Sequence, residues 1–137
     1  MTPIEKFSLQ THQGEYEKWP SKSQLYYCGE NVGIKLPGYI IEKQFELPHY
    51  FLILNSWDCP FEEGCEVIVL NKKFTIVGHY SFMPFYNSFL LDGISELSQD
   101  HYKLTFNGEE FFELMVNYPK KSLFSQVVKV RKLKAGS

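Results

Sequence analysis

Apolar and polar residues alternate along most of the chain with a period of two, which is the pattern of a strand with one buried face. The alternation is clearest in residues 39–47, 74–82 and 102–106. Residues 50–55 differ, because they form a continuous apolar run that predicts a strand buried on both faces. The first 25 residues are mostly polar and predict an irregular lead-in.

Turn signals separate the alternating segments. Asn107 and Gly108 form the strongest short hairpin signal in the chain. Asp92 and Gly93 predict another tight turn, and residues 93–99 are a candidate for one turn of helix. A final strand is expected within residues 122–133, which carry three valines.

The pattern predicts an all-β fold with seven to eight strands and little helix. The connections are too short for crossover helices, so we expect an antiparallel meander. A sheet of this size avoids open edges by curling into a barrel-like form, which we expect here, or by folding into a sandwich. The 137 residues correspond to a single domain, with 1–25 as the lead-in and 134–137 as a frayed tail.

Composition fits a globular, cytoplasmic protein. Hydrophobic residues make up 44% of the chain, but no apolar run approaches the roughly 20 residues of a membrane-spanning helix. Residues 1–6 lack a basic region followed by an apolar stretch, so we expect no secretory signal. Three cysteines, Cys28, Cys59 and Cys65, are an odd number that favours a reduced compartment, and their spacing lacks a zinc-binding pattern. We expect no metal and no cofactor.

The net charge of −2 conceals an uneven distribution. Residues 120–137 hold six of the 14 basic residues and no acidic ones, which leaves 1–119 at −8. Such an acidic body repels nucleic-acid phosphate and attracts cationic partners. The single arginine, Arg131, is a further argument against nucleic-acid binding. The alternative is a solvated acidic face that only keeps the protein in solution.

The sequence contains little evidence for a catalytic site. The chain lacks the Gly-x-Ser-x-Gly turn of many serine hydrolases and a glycine-rich phosphate loop. Cys59 with His79 and Asp58 could form a thiol site, but Pro60 removes a backbone N–H that often serves the oxyanion hole. We therefore expect a protein that is not an enzyme.

The most unusual segment is the loop at residues 55–64, which is long for a connection between two strands. It mixes aromatic and acidic residues, as binding loops on rigid scaffolds do. The alternative is that its rings fold back as a lid on the core. Together with the acidic residues near 92–100, it provides the predicted partner-binding residues: Trp57, Asp58, Phe61, Glu62, Glu63, Glu66, Asp92, Glu96 and Asp100.

In overall character, a small acidic β protein with an aromatic and acidic loop resembles the immunity proteins of bacterial contact-dependent and related polymorphic toxin systems. These proteins share no single motif, so the resemblance transfers no site residue. It implies binding and inhibition of one cognate toxin, often a cationic nuclease, by covering its active site. An acidic face would speed that association. The alternative function is a small calycin-like β-barrel that holds an apolar ligand among its Phe and Tyr side chains.

Overall fold

The computed structural model of the protein describes residues 1–59, 63–84, 89–120 and 126–134. These residues form twelve strands and one short 3-10 helix, Tyr16–Lys18, so the all-β prediction is confirmed. The strands are β1 (Thr2–Pro3), β2 (Phe7–Leu9), β3 (Lys22–Tyr27), β4 (Glu30–Pro37), β5 (Ile40–Glu46), β6 (Tyr50–Ser56), β7 (Cys65–Asn71), β8 (Ile76–Phe82), β9 (Leu91–Ser98), β10 (His101–Phe106), β11 (Glu110–Val116) and β12 (Val128–Leu133).

The strands form three antiparallel sheets. Their strand orders are β1-β5-β6-β7-β8, β12-β11-β10-β9 and β2-β3-β4. Apart from β1, which pairs with β5, neighbours in each sheet are consecutive in the chain, as the predicted meander requires. The twelve strands exceed the predicted seven to eight. The β3–β4 hairpin and the short β1 and β2 are additional strands that the alternation of apolar and polar residues does not resolve.

The five-stranded sheet is the central layer. Tyr50, Leu52 and Leu54 of β6 face the four-stranded sheet, whereas Phe51 and Ile53 face the three-stranded sheet. All residues of β6 are buried, which confirms the strand predicted to be buried on both faces. Two clusters of apolar side chains therefore stabilise the fold, one on each side of the central sheet.

The larger core fills the space between the four-stranded and five-stranded sheets. Side chains from β6 and β7 pack there against Tyr102, Leu104 and Phe106 of β10, each with 0% exposure. The described strands lie in layers and do not close into a barrel, so the sandwich-like arrangement is the one found.

Two local predictions differ in outcome. Asn107 and Gly108 both have positive φ, 53° and 75°, at the β10–β11 hairpin, as its sequence predicts. The predicted turn at Asp92 and Gly93 and the predicted helical turn at 93–99 are wrong, because residues 92–98 lie in β9. Gly93 pairs with Thr105 of β10, and Asp92 is a bulge between that pair and the pair of Leu91 with Phe106, so strand pairing outweighs the local turn preference.

The N-terminal lead-in contains defined structure. It includes β1, β2 and the 3-10 helix, and it reaches into β3. Residues 121–125 and 135–137 lie outside the described residues. The start of the predicted final strand and most of the predicted frayed tail therefore fall outside the part of the chain that the structure describes.

Candidate functional site

Glu63 shapes the loop that follows β6. Its carboxylate accepts hydrogen bonds from the backbone N–H of Trp57, at 2.6 Å, and of Cys59, at 3.0 Å. Asp58 lies between these two amides with φ of 55°, a conformation that Asp tolerates better than most residues. We call residues 57–59 the Trp57 turn. Glu63 is 7% exposed and holds this turn, whereas the Asp58 side chain is exposed.

Trp57 is fixed by contacts on several sides. Besides the bond from its N–H, its carbonyl oxygen accepts a 2.5 Å hydrogen bond from the Tyr16 hydroxyl. Its indole Nε1 lies 3.5 Å from Oε2 of Glu66. Its ring packs edge-to-face against Tyr39, with 5.1 Å between the two ring centroids. Trp57 is therefore held in one orientation while remaining partly exposed.

Tyr39 is the centre of an aromatic cluster at this end of the molecule. Its ring centroid lies between 5.1 and 5.6 Å from those of the four surrounding rings, all in edge-to-face orientation. Such pairs are favourable beyond the area they bury. We call the five rings the aromatic cluster: His12, Tyr16, Trp19, Tyr39 and Trp57. None is fully buried, and Tyr16 is 38% exposed.

A glycine and a serine set the position of Tyr39. Gly38 has φ of 109°, and a Cβ at this residue would lie 2.7 Å from the Cβ of Asn55, so only glycine fits. The carbonyl oxygen of Gly38 accepts a 2.7 Å hydrogen bond from the Ser23 hydroxyl. His12 Nε2 lies 2.8 Å from that same hydroxyl oxygen, which ties the N-terminal segment to the cluster.

The electrostatic environment of the Trp57 turn is negative. Burial raises the pKa of the Tyr16 hydroxyl above its usual value. Neighbouring ionisable groups, among them Cys59, Glu63 and Asp58, raise this pKa further. Burial is the larger cause, because it disfavours the charged phenolate, and the nearby acidic groups add to it. The Glu63 and Asp58 carboxylates are the acidic side chains near this hydroxyl.

Glu66 is an internal residue. It is 2% exposed, and its carboxylate contacts His79 Nε2 at 2.9 Å and the Ser81 hydroxyl. A serine hydrolase needs the histidine between serine and acid, whereas here the acid lies between the other two. The contact of His79 is with Glu66, so this arrangement does not supply the thiol site suggested by Cys59, His79 and Asp58.

The second group of predicted site residues makes internal contacts. Asp92 accepts a hydrogen bond from the backbone N–H of Gly108. Glu96 pairs with the N-terminal amine at 3.0 Å, and Asp100 accepts a 2.7 Å bond from the Tyr50 hydroxyl. The Glu96 contact links the four-stranded sheet to the N-terminus and the Asp100 contact links it to β6, whereas the Asp92 contact lies within the four-stranded sheet.

Asp100 lies away from the Trp57 turn, whereas Phe89, three residues before Asp92, donates a 2.6 Å backbone hydrogen bond to the carbonyl oxygen of Glu63. Tyr50 begins β6 and Trp57 follows its last residue, so Asp100 and the Trp57 turn lie near opposite ends of a strand about 20 Å long. Phe61 and Glu62 lie outside the described residues. Of the predicted residues that the structure describes, Trp57 and Asp58 lie together at a partly exposed surface.

The basic segment of the sequence lies beside acidic residues in space. Arg131 of β12 donates a 3.0 Å hydrogen bond from Nε to Glu113 of β11, and His101 contacts the same carboxylate. The Arg131 guanidinium holds the pKa of the Glu113 carboxyl below its usual value, and His101 lowers it further. Lys132 and Lys134 line one groove with Glu109 and Glu110. The charge separation seen along the sequence is therefore partly neutralised by the fold.

Most of the aromatic cluster was not predicted from the sequence. His12, Tyr16 and Trp19 belong to the polar lead-in, and Tyr39 belongs to an alternating segment that predicts a strand. The available signal was the presence of three ring-bearing residues within eight positions of an otherwise polar segment. Their contact with Trp57 depends on long-range packing of the N-terminal segment, which local pattern does not report.

The interior gives no support to the barrel alternative. One open groove at the surface is lined partly by charged residues, including Glu5, Glu42 and Lys43. The space between the sheets is filled by buried side chains. The calycin-like hypothesis requires an enclosed apolar cavity, which is not observed among the described residues.

The cysteines differ in exposure, and the described residues form no metal-ligand cluster. All three cysteines are free, with Cys28 exposed and Cys65 buried. Within residues 1–59, 63–84, 89–120 and 126–134, no three His, Cys, Asp or Glu side chains converge as metal ligands. These residues also include no helix with the length and apolar character needed to cross a membrane.

Comparison of the chain with protein-family models, with curated proteins and with solved structures finds no match.

Proposed function

We propose that the chain is a non-enzymatic protein-binding module that docks a cationic partner on the Trp57 turn and the aromatic cluster. The observation that carries the proposal is the clamp of Glu63 on the amides of Trp57 and Cys59. It presents Asp58 as an exposed carboxylate beside partly exposed rings. A site that is ordered before binding loses less entropy when the partner arrives.

The composition of this surface fits a protein partner. Tyr and Trp are enriched at binding hot spots because they combine a large contact area with a polar group. Asp58 is exposed, and it makes no hydrogen bond or ion pair with any other described residue. A lysine or arginine of the partner would pair with this carboxylate and could lie over the Tyr16 or Trp57 ring.

Within this class, the partner we propose is a bacterial toxin domain, and the role is that of an immunity protein that covers the toxin. The support is the resemblance in overall character and the negative environment of the Trp57 turn, which suits a cationic enzyme. The competing explanation is that the aromatic cluster only caps the core. The two explanations predict different effects of a charge reversal at Asp58. If the cluster only caps the core, the reversal should not weaken binding of the toxin.

The experiment tests binding and inhibition together. The protein encoded next to this chain in its genome is co-expressed with it, and growth and complex formation are measured. We expect rescue of growth by the native chain and loss of rescue by Asp58→Lys. Glu30→Lys, at an exposed acid of the β4 edge, is the matched control and should still rescue. Equal behaviour of the two variants, or a neighbouring product that neither binds nor impairs growth, would overturn the proposal.

A further inference from the structure

A groove lies at the end of the molecule opposite the Trp57 turn. Its volume is about 300 Å³, which is at the lower end of the range for small-molecule sites. The groove adjoins the start of β6, whereas the Trp57 turn follows the end of that strand. Its walls come from the β5–β6 turn, the β7–β8 hairpin and the segment after β11, with the lining residues Pro48, His49, Lys72, Lys73 and Tyr118.

The charged residues that line this groove are basic. Lys72 and Lys73 belong to the lining, and no described Asp or Glu does. The Lys72 ammonium lies 2.8 Å from Oε2 of Glu46, so its charge is balanced from outside the groove. Lys73 is exposed, and it makes no ion pair with any residue that the structure describes. The groove therefore has one positive charge that no described acidic side chain balances.

Two other lining side chains lack a partner. Within the described part of the chain, neither the His49 ring nor the Tyr118 hydroxyl makes a hydrogen bond or an ion pair. His49 is exposed, and Tyr118 is partly exposed. An imidazole N–H, a phenol O–H and an ammonium group can each donate a hydrogen bond to a ligand oxygen. Together with Lys73, these residues give the groove three available donors.

The hairpin that carries the two lysines is held by its own contacts. Oδ1 of Asn71 accepts hydrogen bonds from the backbone N–H of Lys73, at 2.9 Å, and of Thr75, at 3.0 Å. The Lys72 ammonium lies over the Phe51 ring, 4.3 Å from its centroid, which is a favourable cation–π contact. A hairpin that is ordered in advance loses less entropy when a ligand binds.

We propose that this groove binds the phosphate group of a small phosphate monoester. At pH 7 such a group carries a charge between about −1.5 and −2 and three strong acceptor oxygens. These properties match one unbalanced lysine and several available donors, and lysine binds phosphate as a point charge. A carboxylate has a single charge and two oxygens, so it would use fewer of the donors. The site is separate from the Trp57 turn and does not depend on the proposed protein partner.

An NMR titration of the full chain with inorganic phosphate tests the proposal. The pH is held constant, and sodium chloride keeps the ionic strength constant so that general screening does not change. We expect saturable shifts in the signals of His49, Lys73 and Tyr118, and a higher dissociation constant for acetate than for phosphate. Lys73→Gln should raise the dissociation constant of phosphate at least about threefold, a modest effect because the lysine is exposed.

Lys35→Gln is the matched control. Lys35 is an exposed lysine of β4 that forms no ion pair with another described residue and does not line the groove, so its replacement should leave the dissociation constant unchanged. The absence of saturable shifts at His49, Lys73 and Tyr118 in the unmodified chain would overturn the proposal without any variant. Equal affinity for acetate and phosphate, or equal weakening by Lys73→Gln and Lys35→Gln, would also overturn it.

Discussion

The Glu63 carboxylate accepts a 2.6 Å hydrogen bond from the backbone N–H of Trp57. A second bond, from the N–H of Cys59 at 3.0 Å, completes a clamp around Asp58. Both acids were predicted to contact a partner, but the structure gives them different tasks. Glu63 is buried and orders the turn, and Asp58 is exposed on it.

Removing the clamp should loosen the turn. In Glu63→Ala the amides of Trp57 and Cys59 lose their acceptor, and we expect the free energy of unfolding to fall by about 1–3 kcal/mol. Urea denaturation measures this change, and the amide shifts of Trp57 and Cys59 report it locally. Glu63→Gln keeps one carbonyl acceptor, so its free energy of unfolding should lie between those of the native chain and Glu63→Ala. Unchanged amide shifts in Glu63→Ala would contradict the clamp.

Two glycines in strands should respond in opposite ways to a methyl group. Gly78→Ala places its Cβ 2.7 Å from carbons of Val127 and Val128, and we expect a destabilisation of about 1–3 kcal/mol from overpacking. Gly93 has no atom within 4 Å of the corresponding position, so Gly93→Ala is the control and should be neutral or slightly stabilising. Thermal unfolding of both variants checks the pair. Equal midpoints would show that the valines do not cover Gly78.

The three cysteines should react with a thiol reagent in a fixed order. Cys28 is exposed and should react first. Cys65 should react only on unfolding, because burial raises the pKa of its thiol and the nearby Glu66 and Glu42 carboxylates raise it further. Ellman titration of the native protein measures the phases, and Cys28→Ser should remove the fastest one. Fast reaction of Cys65 would contradict the packing of β7.

The Glu113–Arg131 pair predicts a pH-dependent contribution to stability. The folded-state pKa of Glu113 is depressed, first by Arg131, so its contribution is complete above the unfolded value of about 4.3 and disappears as pH falls through the folded value. Arg131→Ala should therefore be less stable than the native chain at pH 7, with the difference shrinking in acid. Urea unfolding at pH 7 and below pH 4 measures this. A stability difference between the native chain and Arg131→Ala that grows in acid would contradict the stabilising role of the Glu113–Arg131 pair.

Much of the fold was predictable because burial follows local alternation. The apolar run at 50–55 and the Asn107 and Gly108 turn both have the predicted structure, since each depends on residues close in sequence. The layering of three sheets was not predictable, because strand alternation does not state which sheets face each other. Asp92 and Gly93 show the limit of turn signals, because Gly93 pairs with Thr105 of β10 and Asp92 is a bulge residue within β9.

The candidate site was predictable only in part. The sequence identified Trp57 and Asp58 from the unusual mixture of aromatic and acidic residues in one loop. It did not distinguish the buried carboxylates of Glu63 and Glu66 from the exposed one of Asp58, because all three are acids in the same short segment. The contribution of Tyr39 and the N-terminal rings arises from packing between segments distant in sequence.

The central claim is that Asp58, on a turn ordered in advance, receives a cationic partner. Its most direct test is the association rate of the neighbouring gene product with Asp58→Lys and with Glu30→Lys, measured by stopped-flow or surface plasmon resonance at low and high salt. We expect Asp58→Lys to bind at least about tenfold more slowly at low salt, with a smaller difference at high salt because screening weakens the attraction. Equal rates for the two variants at low salt would contradict the claim.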